Sequence, residues 1–329
     1  MLRRRDCMGG LASLAGTLLL PRAGRAAGTS DWPSRPLKLI VPFPPGSSPD
    51  LIARALADGL RTPLGQTVLV ENKPGAGGLI GTGLAAHAAP DGYTWLLTIQ
   101  GPLTTADLLS KKPGYDARKD LTPVSLIASS PNVLLVSPSL GVSTLQDFLQ
   151  LLRRRREGIN YGSVGLGSAS HLAMEDLAAR AGVSLNHVPY GGFAQVLQAL
   201  LSGEIHAAFM VPGMAMGALA AGKLRALGLS SSVRSTSWPE LPTLAEQGLK
   251  DFVALSWQGL LAPAGTPQAM VDRMAGLVSA LVRSPAFRER LLTQHFNAIG
   301  SAPEGLSLQM REDRERWGRV IQRLKLTPE

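Results

Sequence analysis

Residues 37–56 read LKLIVPFPPGSSPDLIARAL. An apolar run, Leu37 to Phe43, stops at Pro44 and Pro45, passes Gly46-Ser47-Ser48-Pro49-Asp50, and resumes with helical spacing at Leu51, Ile52, Ala55 and Leu56. Turn residues and small hydroxyls between a buried strand and a helix have two readings. In the first, Ser48 or Asp50 caps the helix and Pro49 sits in its first turn. In the second, the loop holds an anion, because the first N–H groups of a helix lack partners within it and carry the positive end of its dipole.

The same device of apolar strand, Gly/Ser loop and helix recurs at 68–87 (VLVENKPGAGGLIGTGLAAH) and at 159–180 (INYGSVGLGSASHLAMEDLAAR). Elsewhere YTWLLTI, NVLLVS, LNHVPY, IHAAFM and RALGLS are strand-like and alternate with helical patterns. That alternation predicts an α/β fold of parallel sheets covered by helices on both faces. In such sheets ligands bind beyond the carboxyl ends of the strands. Loops 46–50 and 162–170 lie more than 100 residues apart, which suits two lobes closing on a ligand by a hinge. Within the second half, Ser143 and Gln146 suggest a capping box, with Leu145, Phe148, Leu149 and Leu152 as the buried stripe. Arg153 to Arg156 then read as the solvated C-terminal end of that helix rather than a nucleic-acid patch.

The first residues read as an export signal. Arg3, Arg4 and Arg5 precede a short apolar segment, Gly9 to Leu20, and a small-residue tail, PRAGRAAG, too short for a membrane span. The pair Arg4-Arg5 also resembles a twin-arginine signal. Cleavage after Ala26 would remove five arginines, Asp6 and the single cysteine, Cys7, and bring the formal net charge from +9 to +5. A mature chain without cysteine excludes thiol chemistry, disulfides and cysteine-based metal sites. The residual charge suits an anionic ligand. With aromatic residues at only 5% and no aromatic-basic interleaving, a nucleic-acid partner is not expected.

Enzyme motifs fail on spacing. In GAGGLIG, Gly75 and Gly77 put the third fingerprint position on Ile80; in GSVGLGSAS, Gly165 and Gly167 put it on Ser170. No Walker A, G-x-S-x-G or H-E-x-x-H pattern occurs. The five histidines (87, 171, 187, 206 and 295) are scattered. His171 and Glu175 share a helix face, which leaves open a metal or acid–base pair, but two ligands without a third favour His171 as a donor facing a ligand. No cofactor is expected.

Taken together, PLKLIVPFPPGSSPDLIARALA, GQTVLVENKPGAGGLIGT, APDGYTWLL, INYGSVGLGSASHLAMEDL, HVPYGGFAQVLQALLSGEI, GKLRALGL, LPTLAEQGL and SWQGLLAPAGTP resemble the periplasmic substrate-binding proteins of tripartite tricarboxylate transporters, the Bug-type receptors. The resemblance spans about residues 33 to 323. It implies a monomeric, two-lobed Venus-flytrap protein of the periplasm, with a mostly parallel sheet flanked by helices in each lobe. The first lobe would comprise 33–130 and 254–329, the second 131–253, with hinge crossings near 130 and 253. The ligand would be a small carboxylate, handed to the permease subunits of such a transporter or, alternatively, read by a sensor; a secreted α/β hydrolase is the rival from another class. The family's two ligand-holding elements match Phe43 to Asp50, here Phe43, Gly46, Ser47, Ser48 and Asp50, and Ser163 to His171, here Ser163, Gly165, Gly167, Ser168 and His171. Gln100, just after YTWLLTI, is counted with them, and Pro189, Tyr190 and Gly191 match a further pocket-lining turn. The chain departs from the family at Ser47 and Pro49, where a glycine and a threonine are usual, and at Met210, where an acid is common. These departures suggest a carboxylate with an apolar or aromatic body. Alanine at Ser168 or His171 should then weaken binding without disturbing the fold.

Overall fold

Buried on both faces except at Lys38, β1 (Leu37–Val41) forms an interior strand of the first sheet in this computed structural model, which describes residues 32–155 and 159–326. The segment 1–26 read as an export signal, and Arg156, lie outside the described residues. Helix α1 (Ser48–Leu64) turns Ile52, Leu56, Leu60 and Leu64 inward and ends at Gly65, whose φ of 65° supplies the left-handed C-cap that glycine adopts at no steric cost. The chain continues through β2 (Val68–Asn72), α2 (Leu79–Ala86), β3 (Thr94–Ile99) and two short helices, α3 (Gln100–Thr104) and α4 (Ala106–Leu109). The long strand β4 (Leu121–Pro131) then leads through Asn132 into β5 (Val133–Val136) of a second sheet.

That second sheet is built from α5 (Leu145–Arg154), β6 (Asn160–Ser163), α6 (Ala169–Ala181), β7 (Asn186–Pro189), α7 (Phe193–Ser202), β8 (Ala207–Met210), α8 (Met216–Ala220) and β9 (Arg225–Leu229). The chain returns to the first sheet with β10 (Leu255–Pro263), followed by α9 (Gln268–Arg283), α10 (Pro285–Leu292), β11 (Asn297–Ala298) and α11 (Pro303–Leu324). Strand order is β11-β4-β10-β3-β1-β2 in the first sheet and β7-β6-β8-β5-β9 in the second. The two-sheet α/β architecture expected from the alternation is present.

The sheets are mixed, where mostly parallel ones are expected. Pairs β1·β2, β1·β3, β6·β7 and β6·β8 are parallel. The pairs made by β10 with β3 and β4, by β11 with β4, and by β5 with β8 and β9 are antiparallel. The cause is the double passage of the chain. The strand that enters the second sheet, β5, and the strand that returns to the first, β10, run against the βαβ units they join.

The two passages are bonded to each other. The Asn132 N–H donates to Ser230 Oγ at 2.9 Å, Asn132 Nδ2 to the Ala254 carbonyl at 2.8 Å, and Ser256 Oγ to Asn132 Oδ1 at 2.9 Å. Asn132 and Ser230 are fully buried, so these bonds replace water that neither crossing can reach. A strap runs over both sheets as well. In α11, Leu306 and Met310 join the core of the first sheet, while Trp317, Val320 and Ile321 pack with Leu134, Phe148 and Phe209 over the second. The expected start of α5 shifts by one residue. Thr144 is the cap and Asp147 the reciprocal acid, because the Asp147 carboxylate takes the Ser143 and Thr144 N–H groups while the Gln146 amide reaches the Gln247 carbonyl.

Candidate functional site

At the head of α1 the cap is Ser47, and neither reading of the loop describes it fully. Ser47 has the extended backbone of an N-cap, yet its hydroxyl makes no capping bond. The Ser47 and Ser48 hydroxyls are both buried without a partner among the described residues. Asp50 turns the other way, beneath the loop. Its carboxylate accepts the Gly46 N–H at 2.8 Å, Asn72 Nδ2 at 2.9 Å and Arg54 Nε at 3.0 Å, and Asn72 Nδ2 also donates to the Phe43 carbonyl at 2.9 Å. Burial pushes the Asp50 carboxyl up, but the Arg54 bond and then the Gly46 and Asn72 bonds outweigh it and hold it below the usual carboxylate range. Asp50 and Gly46 therefore shape the loop from behind rather than face a ligand.

The second loop is braced in a similar way. Ser168 caps α6 by accepting the His171 N–H at 3.3 Å, and its hydroxyl donates to the Gly165 carbonyl at 2.7 Å. The Gly167 N–H donates to His171 Nδ1 at 3.2 Å. Behind it, the His171 and His187 rings lie 4.3 Å apart, and Ser163 Oγ meets His187 Nε2 at 2.7 Å. Tyr161 stacks on His187 and donates to Glu175 at 2.5 Å, so Glu175 is bonded away from His171 and the two form no acid–base pair. His171 is a buttress. A helical side chain leans back toward the N-terminus, which carries this one under the loop instead of into the cleft. Alanine at Ser168 or His171 would thus remove loop supports, contrary to the expectation of an undisturbed fold.

The buried histidines give a pH test. Burial lowers His171 to about 3, with His187 beside it adding to the effect, and burial lowers His187 to about 4. Both folded values lie below the ordinary 6.5, so between them the unfolded chain binds more protons and stability falls as pH drops below about 6.5. Each histidine contributes a slope of up to about 1.4 kcal/mol per pH unit in that window. The melting temperature should fall steeply from pH 7 to pH 4.5, and less steeply in His171→Gln, whose amide oxygen can still accept the Gly167 N–H. An identical slope in the variant would show that the histidine pair is not the cause.

The two loops meet. Thr105 Oγ1, from the first-sheet side, donates to the Gly167 carbonyl at 3.1 Å, and Gly77 lies directly against Gly165. Between them is a cleft onto which three helix N-termini converge. Ser47, Ser48 and Pro49 come from α1, Ser168, Ala169 and Ser170 from α6, and Gly192 and Phe193 from α7. Phe43, Ile99 and Val164 supply apolar walls, and Gln100, Ser256 and Gln258 complete the lining, which contains no charged side chain. Four buried oxygens in it have no partner among the described residues: Ser47 Oγ, Ser48 Oγ, Gln100 Oε1 and Gln258 Oε1. The space left is about 20 Å³, room for about one ordered water, so any larger ligand needs the cleft to open.

Of the residues singled out in the sequence, Phe43, Ser47, Ser48, Gln100 and Ser168 line this cleft. Gly46, Asp50, Ser163, Gly165, Gly167 and His171 stand behind it as loop supports. Pro189, Tyr190 and Gly191 line a separate shallow hollow with Gln195 and Glu204, and Tyr190 donates to Glu204 at 2.8 Å. Met210 is fully buried at the end of β8 and does not line the cleft, so its identity gives no basis for a more apolar pocket. The lining residues not anticipated include Gly192 and Phe193, which directly follow the singled-out turn, and Gln258, inside the motif SWQGLLAP. A larger hollow, about 830 Å³, lies between α11 and the start of β4. Arg118 and Arg314 on its rim are already paired with Asp107 and Asp116, and none of its lining side chains is buried without a partner, so it lacks the marks of a ligand site.

A family model described as the tripartite tricarboxylate transporter family receptor matches residues 52–326. The UPF0065 protein in the tcbD-tcbE intergenic region of Pseudomonas sp. (strain P51) is 37% identical over 327 residues, covering 98% of this chain and 95% of that one. Among solved structures, the periplasmic binding protein BugD is 32% identical with a TM-score of 0.84, over 91% of this chain and all of BugD (100%). R. palustris Rpa4515 with adipate is 32% identical with a TM-score of 0.87, over 91% of this chain and 100% of that one.

Proposed function

The chain belongs to the tripartite tricarboxylate transporter receptor family, and from that premise we propose that it captures a small carboxylate between its lobes in the periplasm and delivers it to a membrane transporter of that type. The observation that carries this reading is the convergence of three helix N-termini, with two unpartnered serine hydroxyls, on an enclosed cleft free of charged side chains. Positive helix ends and neutral donors hold an anion without a counter-charge. Hydrogen bonds to a charged group contribute about 1.5–3 kcal/mol each, so three or four supply the roughly 8 kcal/mol of micromolar binding. The lining also supports capture over hydrolysis. Among the described residues no imidazole or carboxylate lines the cleft or is hydrogen-bonded to its serine hydroxyls to act as a base. The bonded crossings at Asn132, Ser230 and Ala254 are the place for the hinge, with 33–130 and 254–329 on one side and 131–253 on the other.

Replacing Ser47 and Ser48 together by alanine tests the reading. The hydroxyls have no partner among the described residues, so their loss should leave the melting temperature of the ligand-free protein unchanged or raised. Affinity for the acid that gives the largest thermal shift in a panel of mono-, di- and tricarboxylates should fall about 10- to 100-fold by calorimetry. Unchanged affinity would move the carboxylate away from α1.

A further inference from the structure

The cleft holds a second pair of unpartnered groups that the carboxylate does not require. Gln100 and Gln258 are 2% and 1% exposed, and each has a carboxamide oxygen without a partner among the described residues and lines the same cavity. We propose that these two glutamines select the far end of the ligand, and that this end is uncharged and hydrogen-bonding, a hydroxyl or an amide, on an acid that carries a single negative charge. The inference rests on the carboxylate reading above.

Strand order sets the spacing. The Ser47–Ser48 loop leaves the end of β1, Gln100 follows the end of β3, and Gln258 on β10 stands in register with Ile99, the last residue of β3. Neighbouring strands lie about 4.8 Å apart, so the carboxamides are one and two strands, about 5 to 10 Å, along the sheet from the loop that takes the anion. Phe43, Ile99, Val164 and Phe193 enclose the cleft that connects them. A ligand fitting this plan has an anionic head, an apolar body and a polar tail.

The tail's charge follows from what the glutamines are. A carboxamide can turn either its oxygen or its NH₂ to a partner, so it satisfies a hydroxyl or an amide in both directions. It brings no net charge. A second carboxylate there would be buried without a cation, since no lysine, arginine or histidine lines the cleft and Arg54 is committed to Asp50 outside it. A purely apolar tail is disfavoured for the opposite reason, because it leaves both buried carboxamides unpaired. Adipate, bound to Rpa4515, carries a charge at each end. On this reasoning the present cleft discriminates against it.

The test uses three sets of acids of four, five and six carbons: the unsubstituted acid, the ω-hydroxy acid and the diacid. Binding of the mature protein is followed by calorimetry at pH 7.5. At the best-fitting length the ω-hydroxy acid should bind at least about tenfold more tightly than both others. Gln258→Leu and Gln100→Leu should each erase its advantage over the unsubstituted acid, by weaker binding of the hydroxy acid together with tighter binding of the unsubstituted one, whose apolar tail then meets one carboxamide fewer. A diacid that binds most tightly overturns the proposal, as does a hydroxy-acid preference that survives both substitutions. Equal binding of all three sets overturns tail selection alone. Failure of every acid to bind overturns the carboxylate reading and this inference with it.

Discussion

Gly165→Ala should weaken carboxylate binding about 10- to 100-fold and leave the protein in its open form at ligand concentrations that close the wild type. Gly165 sits at φ +115°, where side-chain-bearing residues are strained by about 1–3 kcal/mol. A Cβ built there lies 2.7 Å from the Gly77 Cα, a backbone atom that no rotamer change can move aside. The two glycines stand in loops of different sheets, so on the proposed two-lobe closure the added carbon acts against it. Small-angle scattering separates closure from local damage. The variant should remain as expanded as ligand-free protein when its acid is added, with a melting temperature only slightly reduced. Gly77→Ala is the control, because a Cβ there meets nothing closer than 3.6 Å. It should close normally despite a φ of 61°. Full compaction of Gly165→Ala would show that these loops do not meet when the ligand binds.

How much of this was written in the sequence depends on whether the signal is local. Ser47, Ser48 and Ser168 were readable because a strand, a loop of small hydroxyls and a helix follow one another within about a dozen residues, and that order fixes which end of the helix they occupy. Gln258 was not. Its surroundings, LSWQGLLAP, read as an apolar segment, and only the antiparallel register with β3, some 160 residues earlier, turns its side chain into the cleft. Strand β4, LTPVSLIASSP, hides for the same reason: its serines and prolines look like loop, and its partners β10 and β11 lie far along the chain. The mix in the first sheet follows from the unseen β10, and that in the second from β5, whose apolar run shows a strand but not its direction. His171 failed differently. Its position in the first turn of α6 was right, but position does not give the direction of a side chain, and the imidazole leans back to take the Gly167 N–H.

Asp50 shows what a misplaced role implies for stability. As a ligand contact its loss would lower affinity alone; as the anchor of the first loop it should lower stability first. Asp50→Ala takes the acceptor from the exposed Gly46 N–H, which water can replace, and one of two acceptors from the half-buried Asn72 amide, which keeps the Phe43 carbonyl, so each loss costs about 1 kcal/mol. Arg54 is about half exposed (48%) and recovers water, so its ion pair adds little. A net loss of about 2 kcal/mol is expected by denaturant unfolding at pH 7.5, with carboxylate affinity falling as Ser47 and Ser48 lose their fixed positions. The pH dependence identifies the cause. The folded carboxyl is held below its unfolded value of 3.8, so its contribution is complete above that value and is lost as pH falls through the folded one. The gap between wild type and Asp50→Ala should stay constant from pH 8 to about 5 and shrink below pH 4. The histidine pair also destabilises the fold in acid, but equally in both proteins, so it cancels from the difference. A variant as stable as wild type would return Asp50 to the ligand, and a gap that persists unchanged in acid would mean the lost interaction was not ionic.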